Sequence, residues 1–321
     1  ENIRNAKATV EKTIEEKMLG TEAEGCMNSE DPVNLSTGNF IYEHEDLKVA
    51  GEIPLSFHRY YNSKDSRIGV LGRCFLHNYQ IALEKEADGT IGVRLADGQI
   101  NYHDKKGQEY IARNTALEFL KETEQGYILV HPGQENISFD QEGKMLRKED
   151  RNGRGISFFY CEDGKLKKAE TDNGSSLTYC YNQRGQLEEV KDWLGTTKIA
   201  MDEAGRIASV TDPYGKTVGY EWGSMGERTA VLYPDGKKTV YEYNEAMQLT
   251  AMKIFSGEMR ENTIRYSYDE FGRLIGKQLP GGNYTDYRYN AAGKLEEILH
   301  KGADKSAVAG NKCKRNERLC V

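Results

Sequence analysis

The sequence predicts an all-β protein, an antiparallel meander long enough to curl about its own axis. Three observations predict it. A unit of about 21 residues recurs along the second half of the chain. Each unit opens on aromatic residues at i, i+2, a spacing that gathers side chains on one face of a strand. Between the strand-like runs stand four-residue segments that begin with Asp or Asn and end with Gly, the chemistry of a tight turn.

Composition agrees. Of 321 residues, 37% are hydrophobic and 30% are charged, against a usual apolar share of ~45–50%. Mean hydropathy is -0.75. A disordered chain would be poor in aromatics, and this one has 20 Tyr, 9 Phe and 2 Trp. The formal net charge is -7, with no basic patch along the body, which argues against a nucleic-acid partner. No apolar run of ~18 residues is present, so no helical membrane span is expected. Cys26, Cys74, Cys161, Cys180, Cys313 and Cys320 show no C-x-x-C pairing, which disfavours zinc. Their spacing leaves both disulfides and the redox compartment open. The chain opens on Glu1 without a signal-peptide pattern; the expectation is a fragment, with any export signal upstream.

Residues 1–28 read as a short helix and linker, because Ile3, Val10, Ile14 and Met18 fall on one helical face. Residues 29–138 read as a small β-rich domain. Asn39–Tyr42, Leu55–Tyr60 and Tyr79–Leu83 alternate like strands, and Ala87-Asp88-Gly89 and Ala96-Asp97-Gly98 mark turns. The one stretch that also reads as helix is Asn114–Glu124.

Residues 139–300 hold about eight repeats, aligned on Gly143, Gly164, Gly185, Gly205, Gly226, Gly272 and Gly293. Met247 takes the glycine place in a degenerate unit. Four residues earlier stand Phe139, Tyr160, Tyr181, Met201, Trp222, Tyr243, Tyr268 and Tyr289. Tyr suits this place because its ring can pack on a sheet while its hydroxyl reaches a polar partner. After the turn, Leu166, Leu187, Ile207, Leu249, Leu274 and Leu295 start a second strand. Another apolar residue often follows three further on, as Val190 and Val210 do. In a regular strand that spacing puts the two on opposite faces, so either both faces are partly covered or a bulge intervenes. A second turn, such as Asp192 to Gly195 or Asp212-Pro213-Tyr214-Gly215, closes the unit. Two strands per repeat give about sixteen in all, more than an open twisted sheet holds without curling. Residues 301–321 form a non-repetitive basic tail, expected to be a disordered, truncated or frameshifted end.

Tyr266-Ser267-Tyr268-Asp269-Glu270-Phe271-Gly272-Arg273-Leu274 resembles the YD repeat of the Rhs family of bacterial polymorphic toxins. Upstream, Asp31-Pro32-Val33-Asn34 with Thr37-Gly38-Asn39-Phe40, and Leu55-Ser56-Phe57-His58-Arg59-Tyr60-Tyr61-Asn62, look like the domain of unknown function that precedes Rhs repeats. The resemblance runs from about Asp31 to His300. It implies a spiral, shell-like β-sheet of a secreted or cell-surface protein, acting as a structural scaffold. It further implies partners: more Rhs repeats and an encapsulated C-terminal toxin. Neither the family's self-cleaving core nor a toxin domain is recognisable in this chain, and Asp212-Pro213-Tyr214-Gly215 reads as a repeat turn. No catalytic residue is therefore expected.

The residues alone give the same answer. His44, His58, His77, His103, His131 and His300 show no metal-ligand spacing, although His58 and His77 could meet within the β-rich domain. Most carboxylates occupy turn positions, where capping explains them. No G-x-S-x-G, P-loop or dinucleotide motif is present, and no cofactor is expected. The alternative function is a carbohydrate-binding or adhesive wall-associated protein, in which exposed tyrosines stack on cell-wall glycan. Against it stands the simpler expectation that the tyrosines line the packed face of the sheet.

Overall fold

The computed structural model describes residues 33–35, 37–113, 118–131, 135–257, 261–303 and 307–312. Among them there are strands, bridges and turns but no helix. The expected N-terminal helix lies outside the described residues, as do Cys26, Cys313 and Cys320. The chain divides into two compact bodies, one built on Glu43–Lys216 and one on Thr21–Tyr42 with Thr217–Val321.

In the first body, Ile41–Val49, Leu55–Asn62 and Phe75–His77 make a three-stranded sheet. Its inner face is apolar and aromatic, with Leu55, Phe57, Tyr61 and Phe75 buried. The antiparallel meander starts at Ala82–Lys85, well ahead of the first repeat, and runs strand to neighbouring strand through Ile207–Thr211. Phe119–Thr123 is one of these strands, which decides between the helix and strand readings open for that stretch. Its β-branched and aromatic neighbours across the ladder, Ile111, Tyr127 and Ile128, supply the pairing that local propensity alone left undecided. The first strand also turns back on the sheet: Leu83 N donates to Gly143 O at 2.9 Å, and Ala82 bridges Lys144.

In the second body the meander runs from Thr217–Trp222 to Ala307–Lys312. That last strand pairs with Leu295–Lys301, so one more hairpin is built where the repeat pattern in the sequence ends at His300. This corrects the reading of the whole tail as unstructured; residues 313–321 lie outside the described residues.

Each repeat carries a β-bulge. Tyr179 lies opposite Val190 and Cys180 opposite Glu189, but Tyr181 lies opposite Leu187. Glu188 is therefore the extra residue. The bulge returns Leu187 and Val190 to one face, where both are 0% exposed. The same register shift falls before Phe139, Tyr160, Met201, Trp222, Tyr243, Tyr268 and Tyr289. It settles the two readings that the three-residue spacing left open.

The turns that open on Asn182 and Asp269 are built alike. Asn182 Oδ1 accepts the backbone N–H groups of Arg184 (2.9 Å) and Gln186 (3.0 Å). Asp269 Oδ1 does the same for Phe271 (3.0 Å) and Arg273 (2.9 Å). The closing residue has positive φ in each, 76° at Gly185 and 80° at Gly272. Asp212 caps its turn likewise, through the N–H groups of Tyr214 and Lys216.

Candidate functional site

The arrangement that recurs is a contact between repeats. Where a bulge displaces the ladder, the carbonyl beside it needs a partner from elsewhere. The second aromatic of the following repeat supplies one. Tyr160 OH donates to Met145 O (2.6 Å), Tyr181 OH to Leu166 O (2.7 Å), Tyr243 OH to Arg228 O (2.8 Å), Tyr268 OH to Leu249 O (2.7 Å) and Tyr289 OH to Leu274 O (2.8 Å). These tyrosines are half-buried, and the first of each pair, such as Tyr179, Tyr241, Tyr266 and Tyr287, is buried. The ladder thus packs and staples the wall. The residue after the turn glycine adds a second link. Lys144, Lys165 and Arg273 lie over the rings of Tyr160, Tyr181 and Tyr289 at 6.0, 5.8 and 4.6 Å. Gln186 and Gln248 instead donate to the next turn's carbonyl, Gly205 O (3.1 Å) and Gly272 O (2.9 Å).

The segments ahead of the meander dock onto the same bulges. In the first body Val70 O accepts from Leu187 N (2.8 Å). A Cβ on Gly72 would meet Gly205 O at 2.4 Å, so only glycine allows this approach. In the second body Leu35 O accepts from Leu274 N (2.9 Å) and from Tyr289 OH (2.7 Å). There the Arg228 guanidinium, fully buried, lies over Phe40 (5.0 Å), Tyr42 (4.8 Å) and Tyr241 (4.8 Å). Sequence reasoning passed over this cluster. The signal was Arg228 standing two residues after Gly226, where other repeats carry Leu, Ile or Met.

The histidines are held by structural partners. His58 meets Glu43 (2.7 Å) and Glu45 (2.9 Å). His44 meets Asp46 (3.1 Å). His77 is buried against Tyr179, with ring centroids 5.5 Å apart, and burial, helped by Arg94, pushes its pKa down to about 3. His58 and His77 do not meet. Arg59 lies opposite His77 in the ladder, which puts His58 on the other face. His300 Nδ1 sits 3.1 Å from Thr285 Oγ1. Cys74 is buried, Cys161 and Cys180 are half-buried, and all three are free thiols; burial pushes the Cys74 thiol up to about 11. No group of three or more His, Cys, Asp or Glu among the described residues is placed to hold a metal ion. Nor is any described helix long and apolar enough to cross a membrane, which says nothing of β-strands.

Repeated bulged hairpins, stapled by tyrosine, define a β-repeat wall protein. The chain belongs to the Rhs/YD-repeat family: residues 131–310 match the Teneurin YD-shell and residues 30–107 match the domain of unknown function DUF6531. A tRNA nuclease, WapA of Bacillus subtilis (strain 168), is 29% identical over 273 residues, which is 83% of this chain and 12% of that protein. Double-stranded DNA deaminase toxin A of Burkholderia cenocepacia (strain H111) is 33% identical over 103 residues, 32% of this chain and 7% of that one. The chain therefore spans about an eighth or less of the curated relatives it matches. The crystal structure of TcdB2-TccC3 without its hypervariable C-terminal region superposes with a TM-score of 0.43 and 10% identity, over 86% of this chain and 22% of that one.

Proposed function

We propose that this chain is a wall section of an Rhs-type toxin shell, a scaffold with no catalysis of its own, exported from the cell. The cargo would be a C-terminal toxin joined to further repeats of the same longer protein. The observation that carries this reading is the stapling itself. Tyr160, Tyr181, Tyr243, Tyr268 and Tyr289 all have their polar atom engaged by the preceding repeat. The recurring polar chemistry of the repeat is thus consumed in holding one strand pair to the next. The nuclease and deaminase named among the relatives match this chain over 12% and 7% of their own lengths, so their activities are not assigned to it.

Two measurements test the reading. Incubated with RNA and with double-stranded DNA, the purified 321-residue chain is expected to leave both unaltered; cleavage or deamination by it would overturn the scaffold assignment. In the longer natural protein, a C-terminal segment is expected to resist protease while the wall is intact. Equal digestion of that segment in the native and the urea-unfolded protein would remove the container function.

A further inference from the structure

A row of side chains crosses four neighbouring strands of the first body. His103 lies opposite Ala112. Phe119 lies opposite Ile111 on one side and Val130 on the other, so Glu118, one residue earlier, faces Ala112 and His131. Ala112 N also donates to Glu118 O at 3.4 Å. The alanine side chain ends at Cβ, and His103 reaches across it: its Nε2 lies 2.9 Å from Glu118 Oε1. From the other side His131 Nε2 lies 2.6 Å from Glu118 Oε2. His131 holds one carboxylate oxygen by a hydrogen bond and His103 faces the other at ion-pair distance, with His103 0% and Glu118 5% exposed. On its far side His103 Nδ1 is 2.9 Å from Asn101 O. A carbonyl only accepts, so Nδ1 is the donor there. The approach of Nε2 to the carboxylate is then attractive only when the ring carries its second proton and is a cation. Charged groups on the flanking strands are already held: Arg94 by Glu84 (2.8 Å), Asp104 by Arg113 (2.7 Å) and Glu135 by Lys148 (2.6 Å).

We propose that His103, Glu118 and His131 form a proton-dependent clasp that ties these four strands together in mildly acidic medium and lets them part as the medium turns alkaline. Its hydrogen bond to Glu118 holds His131 above the usual 6.5, with the charges of Glu118 and Glu135 adding to the effect and burial opposing it. For Glu118, burial acts upward, but the hydrogen bonds and charges of the two imidazoles outweigh it and bring the carboxyl down to about 2. The signs fix the window. His131 contributes fully below its unfolded value near 6.5 and loses that contribution as pH rises through the raised folded value. Glu118 contributes fully above its unfolded value near 4.5 and loses it as pH falls toward about 2. Both act at full strength only between these unfolded values.

The test is the thermal midpoint of the full chain, followed from about pH 5.5 to about pH 8.5 for the wild type and for Glu118→Gln. The wild type is expected to lose about 3 °C more than the variant over that interval. Equal losses would overturn the clasp. Should Glu118→Gln fail to fold, the His131 ring proton signal of the wild-type chain decides. A titration midpoint above the ordinary value near 6.5 supports the clasp, and one at or below it overturns the clasp.

Discussion

Tyr181 divides its side chain between two neighbours. Its ring packs beneath Lys165, and its hydroxyl donates to Leu166 O at 2.7 Å. Removing only the oxygen leaves that carbonyl, half-shielded by the ring, without its donor. Tyr181→Phe is therefore expected to lower unfolding free energy by about 1–2 kcal/mol, read by urea denaturation. Tyr214→Phe is the control: Tyr214 is 83% exposed at a turn tip, and no change is expected there. A second residue carries strain of the opposite sign. Met247 has φ 59° in the place other repeats give to glycine. A left-handed L-residue costs roughly 1–2 kcal/mol, while glycine gives back roughly 0.5–1 through its freer unfolded state. Met247→Gly should stabilise the protein by about 0.5–1 kcal/mol, seen as a higher urea midpoint with an unchanged slope.

At the scale of the strand pair, the bulge decides which face each side chain meets. Because side chains alternate, one residue added or lost flips everything beyond it. Glu188 is the extra residue that brings Val190 onto the face of Leu187. Deleting Glu188 would send Val190 and the rest of its strand to the wrong face, or force the pairing with Ser176–Tyr181 to slip. A loss above about 3 kcal/mol is expected, whereas Glu188→Ala, on an exposed side chain, should stay within about 0.5 kcal/mol. A deletion variant with a wild-type urea midpoint would refute this account of the bulge. The sequence carried the bulge as an ambiguity. Leu187 and Val190 are three apart, and one-dimensional spacing cannot say whether a strand or its partner absorbs the odd residue. The turns, by contrast, were readable outright, since Asn182 and Gly185 each have a local conformational job that needs no distant partner.

Across the molecule, what the sequence displayed and what it concealed divide along the same line. Repeats were legible because an aromatic, an Asp or Asn and a Gly recur together every 20 or 21 residues along most of the second half of the chain. The Arg228 cluster with Phe40 and Tyr42, and the Glu118 row, were not, because their members come together only across strands or from far upstream. Charge behaves likewise. Some charged residues sit in exposed pairs such as Lys237–Asp235 and Lys238–Glu221, each worth ~0–1 kcal/mol and screened by salt. Arg59 and Asp46 differ: their side chains are 1% and 4% exposed, with Arg59 Nη2 2.8 Å from Asp46 Oδ1. Burial acts to raise the Asp46 carboxyl, but the Arg59 charge and hydrogen bonds, with His44, hold it below its usual 3.8. A depressed carboxyl stabilises the fold above its unfolded value and loses that contribution as pH falls through the folded one. Asp46→Asn would leave a buried guanidinium without its counter-charge and should cost about 3–5 kcal/mol, while Lys238→Ala should cost about 0.5 kcal/mol or less. The two variants also separate by pH. As acid protonates Asp46 in the wild type, the gap between wild type and Asp46→Asn should close, and the gap for Lys238→Ala should remain small throughout. A gap for Asp46→Asn that persists unchanged well below the usual carboxylate range would mean that the pair holds this body together through packing, not charge.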